Sequence, residues 1–285
     1  MTISIEINGQ TETVDIDNPI DISIPLQFNG PQPNAYDVER AVTKAYETGD
    51  LVGDTRRGGS CNFEQITLVA HCNGTHTECV GHITHERISV NDCLKDAFIP
   101  AMLVSVEPQR ALETDERYSC ELTESDLLIT RSAMQTIIEN RDFLSAPPAV
   151  AGGLTGEHKF AKALIIRTLP NDTGKLIREY TDNVPPFFTT EAMNYIVSLG
   201  IRHLLIDTPS IDRLYDEGKL SNHRAFWGIE AGNFETDPAT RLNNTVTELI
   251  YVPDDISDGE YLLNLQIAPF SADAAPSRPI LFALN

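Results

Sequence analysis

Alternating apolar and polar positions predict strands at both ends of the chain. Ile3, Ile5 and Ile7 alternate with polar residues before the turn-forming pair Asn8-Gly9, a pattern typical of a β-hairpin. Apolar positions that alternate or run together also predict strands over residues 20–26, 245–252, 261–268 and 279–284. We therefore expect β-structure to open and close the chain.

The middle of the chain combines helical periodicity with short apolar runs. Apolar residues three and four positions apart predict helices over residues 34–49, 125–141 and 190–199. Apolar runs predict strands over residues 63–70, 102–106, 161–167 and 203–206. The order strand, helix, strand from 161 to 206 indicates a parallel βαβ unit with a right-handed crossover. These elements favour an α/β fold, built as a mixed β-sheet or open barrel with flanking helices.

Length and charge narrow the architecture and the partners. A chain of 285 residues that is 41% hydrophobic can bury a large core, so we expect a hairpin extension over residues 1–18 and one main domain over residues 19–285. The 42 Asp and Glu residues outnumber the 21 Lys and Arg residues, and the net charge of -21 repels phosphate backbones and anionic lipid. We therefore expect neither a nucleic-acid partner nor a membrane partner.

The N-terminus and the cysteines bear on the cellular compartment. The first residues contain no basic start followed by an apolar run of signal-peptide length. The five cysteines form no C-x-x-C pair, which favours reduced thiols in a chain of this size. Both observations predict a cytoplasmic location.

The segment 71–82, HCNGTHTECVGH, carries the strongest candidate chemistry. It brings His71, His76, His82 and Glu78 together in a stretch too polar for the core. Neutral imidazole and carboxylate are the usual ligands of zinc and manganese. In an extended segment His76 and Glu78 project from the same face, and a turn between the first two histidines would bring His71 to them. The segment predicts a divalent-metal site; the alternative is a set of scattered surface or capping histidines.

Two other polar groups have open interpretations. Arg56 and Arg57 lie in the glycine-containing loop 53–60, which is either a solvated loop or an anion-facing flap over the site. Asp207 follows an apolar strand, where it either orients a ligating histidine or belongs to a simple turn at the strand exit.

Four motifs in one order along the chain resemble a known family. They are G-T-H-x-E-x-x-x-H over 74–82, IDTPSID over 206–212, the pair His223 and Glu248, and APSR over 275–278. Together they resemble the metal-dependent cyclase family, which includes bacterial kynurenine formamidases and isatin hydrolases. The resemblance implies a kynurenine formamidase-like swivelling β/α fold.

The resemblance also implies a ligand set and a reaction. His71, His76 and Glu78 would hold a first ion, and Glu78 would bridge to a second ion held by His223 and Glu248. The cofactor would be one or two divalent ions, Zn²⁺ or Mn²⁺, and His82 would transfer the proton. The implied reaction is hydrolysis of a small amide, such as an N-formylkynurenine-like aryl formamide or a cyclic amide, by metal-activated water. The implied partners are that small-molecule amide and a second copy of the chain in a homodimer.

The chain departs from the usual motif at several positions. Glu78 stands where the family has Asp, and Asn73 adds a residue between the first two histidines. The interval between His223 and Glu248 is wider than usual, which leaves Glu230 or Glu235 as alternative downstream ligands. These changes keep open a second hypothesis, a non-catalytic member that binds a metal or a small molecule.

Two further assignments have a structural alternative. A cysteine hydrolase built on Cys79 and His82 is disfavoured because the two residues are only three positions apart in an extended loop. Candidates for an aryl pocket, each of which is also a candidate core residue, are Phe187, Phe188, Phe226 and Trp227.

Overall fold

The computed structural model describes residues 1–7, 9–140 and 161–284. Its strands, in chain order, are β1 (Thr2–Ile7), β2 (Gln10–Asp15), β3 (Ile20–Asp21), β4 (Val42–Ala45), β5 (Glu47–Thr48), β6 (Leu51–Val52), β7 (Glu64–Thr67), β8 (His76–Glu78), β9 (Phe98–Val106), β10 (Gln109–Arg110), β11 (Leu127–Ile129), β12 (Ala163–Thr168), β13 (Phe187–Phe188), β14 (His203–Ile206), β15 (Thr245–Glu248), β16 (Gly259–Asn264), β17 (Ala274–Pro276) and β18 (Ile280–Ala283). Its α-helices are α1 (Ala70–Asn73), α2 (Val90–Cys93), α3 (Arg131–Asn140), α4 (Thr190–Ser198) and α5 (Ser221–Trp227).

A curled, mixed sheet organises the fold, with the order β17-β8-β15-β14-β12-β9-β16-β18-β3 among the described strands. Its centre is parallel, because β15, β14, β12 and β9 pair in parallel with one another. Both flanks are antiparallel, with β8 and β17 on one side and β16, β18 and β3 on the other. The predicted α/β fold with a mixed sheet is confirmed.

The central strands are buried on both faces, which explains their continuous apolar sequences. In β12, Leu164 and Ile166 face a core that α3, α4 and α5 cover, while Ala163 and Ile165 face a second core within the curl of the sheet. Side chains alternate between the faces of a strand, so one apolar run supplies both cores.

The predicted βαβ order is confirmed for β12, α4 and β14. The two strands pair directly and in parallel, with Ala163 opposite His203. The hydroxyl of Thr189 accepts a hydrogen bond from the Ala192 amide at 3.0 Å and caps the start of α4. The helix then buries Met193 and Ile196 against the sheet. The strands enclosing this helix end at the same edge, close to the candidate site.

The N-terminal hairpin forms as predicted, with β1 and β2 paired from Thr2 opposite Asp15 to Ile7 opposite Gln10. Asn8 of its turn lies outside the described residues. An antiparallel bridge from Val14 to Leu284 joins the hairpin to the C-terminal segment. The division into a hairpin extension and a main domain stays a prediction.

The helix predicted over 34–49 is wrong. Tyr36 and Asp37 have φ values of 59° and 53°, and the chain then extends into β4. The Gln32 side chain stabilises this path. Its Nε2 donates to the Ala41 carbonyl at 3.1 Å, and its Oε1 accepts the Ala41 amide at 2.7 Å. Polar side chains that bond the backbone locally compete with helix formation. The apolar residues spaced as in a helix are here partly exposed on an extended ribbon.

Other boundaries also differ from the prediction, and the strand expected over 20–26 is confined to β3. The helix expected over 125–141 begins at Arg131, because residues 127–129 form β11, and the Thr130 hydroxyl accepts the Ala133 amide at 3.2 Å. The strand expected over 63–70 is confined to β7, whose residues are exposed. A single helical turn, α1, delivers His71 instead of a strand end. Within the described part of the chain, no helix combines the length and hydropathy that crossing a bilayer would require.

Candidate functional site

Strand β8 forms the floor of the site. It lies between β15 and β17, with His76 opposite Glu248 on one side and opposite Pro276 on the other. His76 and Glu78 are two residues apart and therefore share a face of the strand. Both are almost completely inaccessible, at 0% and 1% exposure. The expectation that this segment is too polar for the core is therefore wrong for β8, all of whose residues are buried. The sequence pattern predicted this pairing, and the structure places the two side chains accordingly.

Glu78 is the central carboxylate of the cluster. Its Oε1 accepts a hydrogen bond from Nε2 of His223 at 2.8 Å. Its Oε2 lies 3.4 Å from Nε2 of His71 and 3.9 Å from Nε2 of His82. Burial acts to raise the pKa of Glu78, but the imidazoles of His82, His223 and His71 outweigh it and hold that pKa well below its usual range.

Glu248 closes the other side of the site. Its Oε2 lies 3.4 Å from Nε2 of His76, and its Oε1 lies 3.6 Å from Nε2 of His223. The same Oε1 accepts the Ile211 amide at 2.8 Å. Glu248 is the last residue of β15, so the strand expected over 245–252 ends earlier than predicted, because Leu249 turns the chain with a φ of 54°.

Short local elements position His71 and His82. His71 lies on α1, and its ring stacks on that of His82 with centroids 4.5 Å apart. His82 ends a 3₁₀ turn that begins at Val80. This turn passes so close to the chain at Ile88 that a Cβ on Gly81 would lie 2.1 Å from the Ile88 carbonyl oxygen. Glycine at position 81 is therefore required for the close approach that places His82.

The donor atoms suit a divalent cation. Nδ1 of His76 donates to the Gly74 carbonyl at 3.0 Å, which turns Nε2 toward Glu248. Nε2 of His76 and Nε2 of His71 are buried and have no hydrogen-bond partner among the described residues. Ligands about 2.0–2.2 Å from one ion lie roughly 3.0–3.5 Å from each other, and the 3.4 Å separations around Glu78 and Glu248 fall in that range.

Two groups of donors share Glu78. One group is His71, Glu78 and His82, and the other is His76, Glu78 and Glu248; within each group the donor atoms lie within 4.8 Å of one another. The sequence had placed His71 and His76 around one ion and had paired Glu248 with His223. All six predicted residues converge in the structure, but their grouping around Glu78 differs.

Comparison with known proteins gives the family. Residues 14–213 match the sequence model of a family described as "Putative cyclase". The chain belongs to the cyclase family. A kynurenine formamidase of Bacillus cytotoxicus is 23% identical over 274 residues, covering 95% of this chain and 97% of that protein. A kynurenine formamidase of Bacillus cereus is 24% identical over 270 residues, covering 92% and 96%.

Solved structures share the fold of this chain. An isatin hydrolase bound to the product analogue thioisatinate superposes with a TM-score of 0.59 at 12% identity, covering 94% of this chain and 93% of that one. Isatin hydrolase A from Labrenzia aggregata gives a TM-score of 0.57 at 14% identity, with 93% of each chain covered. At these identities the likeness describes the architecture alone.

Sequence reasoning missed two aspartates of the cyclase site. Asp212 accepts a hydrogen bond from Nδ1 of His223 at 2.7 Å and another from the Tyr118 hydroxyl at 2.7 Å. Asp273 places Oδ2 3.2 Å from Nε2 of His71 and 3.4 Å from Nδ1 of His82. Asp212 ends the IDTPSID motif, which was a usable signal. Asp273 lies two positions before the first residue of APSR, and no spacing rule linked it to the histidines.

The carboxylates make this site electrostatically negative. Burial acts to lower the pKa of His223, yet Glu78, Asp212 and Glu248 raise it well above the ordinary value. The pKa of His71 is also raised, because Asp273, Glu78 and Glu248 outweigh its burial. Imidazoles whose protonated form is favoured lie in a negative potential, and such a potential also attracts a metal cation.

Other candidates from the sequence lie outside the cluster. Arg56 pairs with Asp54 of the same loop and Arg57 pairs with Glu47 of β5, which agrees with the solvated interpretation. Glu230 and Glu235 are exposed, so neither replaces Glu248. His203 is packed at 0% exposure, as expected, and places Nε2 3.2 Å from Asp96.

The cysteine and aromatic alternatives also fail. Cys79 is completely buried, and its contact with Cys93 together with burial raises the pKa of its thiol well above the usual range, whereas a nucleophile needs a lowered one. The proposed aryl-pocket residues are core residues with 0% exposure: Phe187, Phe188, Phe226 and Trp227. Only Trp227 comes near the cluster, with its ring 5.3 Å from that of His223.

Proposed function

We propose that this member of the cyclase family is a metal-dependent hydrolase of small amides. The observation that carries the proposal is the convergence of three imidazoles on Glu78, with His76 and Glu248 in an adjoining group of donors. Two imidazole nitrogens of this cluster have no hydrogen-bond partner among the described residues. The names of its relatives, kynurenine formamidase and isatin hydrolase, support amides and cyclic amides as the substrate class.

The proposed ligands are the residues with the most buried donors. His76, Glu78, His223 and Glu248 are each at most 3% exposed, and His71 completes the set from α1. An ion held there, Zn²⁺ or Mn²⁺, would supply a Lewis acid for the amide carbonyl and lower the pKa of a water molecule. The carboxylate of Glu78 can serve two ions because each of its oxygens faces a different histidine.

His82 is the proposed proton carrier. Its side chain is 27% exposed, so it can reach a substrate that the buried ligands cannot. Nε2 faces the Glu78 carboxylate, whereas Nδ1 faces Asp273. Transfer of a proton from Nε2 to the leaving nitrogen makes the amine a neutral leaving group.

An exposed pair of tyrosines is the proposed aryl contact. Tyr36 and Tyr215 are 43% and 52% exposed and meet edge to face, with ring centroids 5.9 Å apart. Burial and the charge of Glu248 raise the pKa of Tyr36, which places that phenol within electrostatic reach of the site. Tyr36 also holds a positive φ, a conformation that bulky residues adopt at a cost and that is concentrated at functional sites.

Metal reconstitution of the His76→Ala variant tests the proposal. We expect the variant to bind less Zn²⁺ and to hydrolyse N-formyl aryl amines and lactams about a hundredfold more slowly or worse. Elemental analysis after dialysis and amine release measure the two effects. His85→Ala is the matched control, because His85 belongs to the same segment but stacks on Phe234, away from the cluster.

Two outcomes would contradict the hydrolase. Amide hydrolysis by His76→Ala in the presence of a chelator would exclude metal dependence. Stoichiometric metal binding by the wild-type protein without hydrolysis of any amide, lactam or lactone would instead identify a non-catalytic metal-binding member of the family.

Replacement of Asp212 by Asn separates ligand orientation from ligation. Asp212 holds Nδ1 of His223 at 2.7 Å, so that Nε2 faces Glu78. Loss of such an outer partner lowers metal affinity or activity about 10- to 100-fold. Isothermal titration with Zn²⁺ measures the affinity. Asp96→Asn, which alters the carboxylate beside the distant His203, should leave it unchanged.

A further inference from the structure

We propose that Asp273 is a positioning residue that fixes the tautomer of His82, holding the proton on Nδ1 and leaving Nε2 free to carry a proton in the reaction. The inference deepens the proposed function and rests on it for the role of His82. It concerns a residue outside the segment 71–82, more than half the chain away in sequence.

The backbone holds Asp273 rigidly beside the cluster. The residue immediately precedes β17, whose Ala274 pairs with Glu78 on β8. The Asp273 carbonyl accepts the Cys79 amide at 3.0 Å, and the Ala272 carbonyl accepts the Val90 amide at 2.8 Å. The carboxylate is therefore carried by a strand end that is bonded directly to the residues on either side of the site.

The carboxylate faces two imidazoles through the same oxygen. Oδ2 lies 3.2 Å from Nε2 of His71 and 3.4 Å from Nδ1 of His82. Nε2 of His71 is a proposed metal ligand, and a ligating imidazole nitrogen carries no proton that it could donate. His82 is then the donor, through Nδ1–H. The 3.4 Å separation is longer than an ordinary N–H···O hydrogen bond, and catalytic contacts are often this long before substrate binds.

The same construction occurs a second time in this site. Asp212 bonds Nδ1 of His223, and Nε2 of that ring bonds Glu78. Asp273 faces Nδ1 of His82, and Nε2 of that ring faces Glu78 at 3.9 Å. Two imidazoles thus approach one carboxylate through Nε2, each with an aspartate behind it. An aspartate in this position selects the tautomer and the orientation of a ring.

The proton transfers of amide hydrolysis require that tautomer. Water oxygen bonds to the carbonyl carbon and the C–N bond breaks, giving an acid and an amine. One proton of the water passes to Nε2 of His82 and from there to the leaving nitrogen. Nε2 must begin unprotonated to accept it, and Asp273 stays ionised throughout.

The test compares Asp273→Asn, Asp273→Glu and Asp96→Asn in protein labelled with ¹⁵N-histidine. Long-range ¹H–¹⁵N spectra at alkaline pH report which ring nitrogen carries the proton, with and without Zn²⁺. The His82 signals are assigned by their absence in His82→Gln. We expect Nδ1–H in the wild-type protein and a shift toward Nε2–H in Asp273→Asn, because the amide NH₂ can donate to Nδ1. We expect a drop in kcat of about 10- to 100-fold with KM and metal content unchanged, partial recovery in Asp273→Glu, and no change in Asp96→Asn.

Two results would overturn the inference. An unchanged His82 tautomer in Asp273→Asn would remove the positioning role, and loss of bound Zn²⁺ in that variant would make Asp273 a ligand instead. The tautomer is read without substrate. A wild-type protein that hydrolyses no amide would therefore defeat the proposed function, while the spectra would still decide the placement of the His82 proton.

Discussion

Replacement of Glu78 by Gln should abolish stoichiometric metal binding and lower the kcat/KM for amide hydrolysis by about a thousandfold. Glu78 belongs to both donor groups of the site, so the loss of its charge affects each of them. A divalent ion contributes several kcal/mol of transition-state stabilisation, and a tenfold rate change corresponds to about 1.4 kcal/mol. Glutamine preserves the size of the side chain and its contact with His223, so the effect measures charge rather than packing.

The control for this variant is Glu235→Gln, an exposed carboxylate that the sequence had left as an alternative ligand. It should retain wild-type metal content and wild-type rates. Elemental analysis and progress curves with an N-formyl aryl amine measure both quantities, and circular dichroism verifies the fold. Full activity of Glu78→Gln with bound metal would remove Glu78 from the site and with it the shared carboxylate on which the two donor groups depend.

The sequence was informative where short-range periodicity determines the geometry. His76 and Glu78 are two residues apart, and in β8 this spacing alone puts both side chains on one face. The apolar runs of β12 and β14 predicted a central parallel pair because both faces of these strands are buried. Neither inference needed knowledge of distant parts of the chain.

The sequence did not predict the contact of Asp273 with His82, because that contact depends on pairing between distant strands. Asp273 reaches His82 because β17 pairs with β8, and no local pattern specifies that pairing. The helix expected over 34–49 failed for a local reason. The Gln32 side chain bonds the backbone of Ala41 and stabilises an extended path, although the apolar spacing of that segment is helical.

Replacement of Asp207 by Asn should lower the free energy of unfolding by about 3–5 kcal/mol. The sequence left Asp207 either orienting a ligand or in a simple turn, and the structure pairs it with Lys175, 2.8 Å away. Both side chains are almost completely buried, at 1% and 3% exposure. Asp207 also accepts the Thr168 amide at 2.8 Å and the Thr168 hydroxyl at 2.9 Å. Asparagine would leave the Lys175 ammonium uncompensated in the interior, and chemical denaturation measures the loss.

A double variant separates the charge from the packing. If the cost arises from the unpaired ammonium, Asp207→Asn combined with Lys175→Met should regain much of the stability that Asp207→Asn loses, because replacing both ions by less polar groups is often nearly neutral. The matched surface control is Glu179→Gln, which removes the exposed pair with Arg40 and should cost less than about 1 kcal/mol. If Asp207→Asn also cost less than about 1 kcal/mol, the prediction would fail. The hydrogen bonds from Lys175 to Thr168 and Asn171, the other acceptors around its ammonium group, would then be sufficient to stabilise the charge.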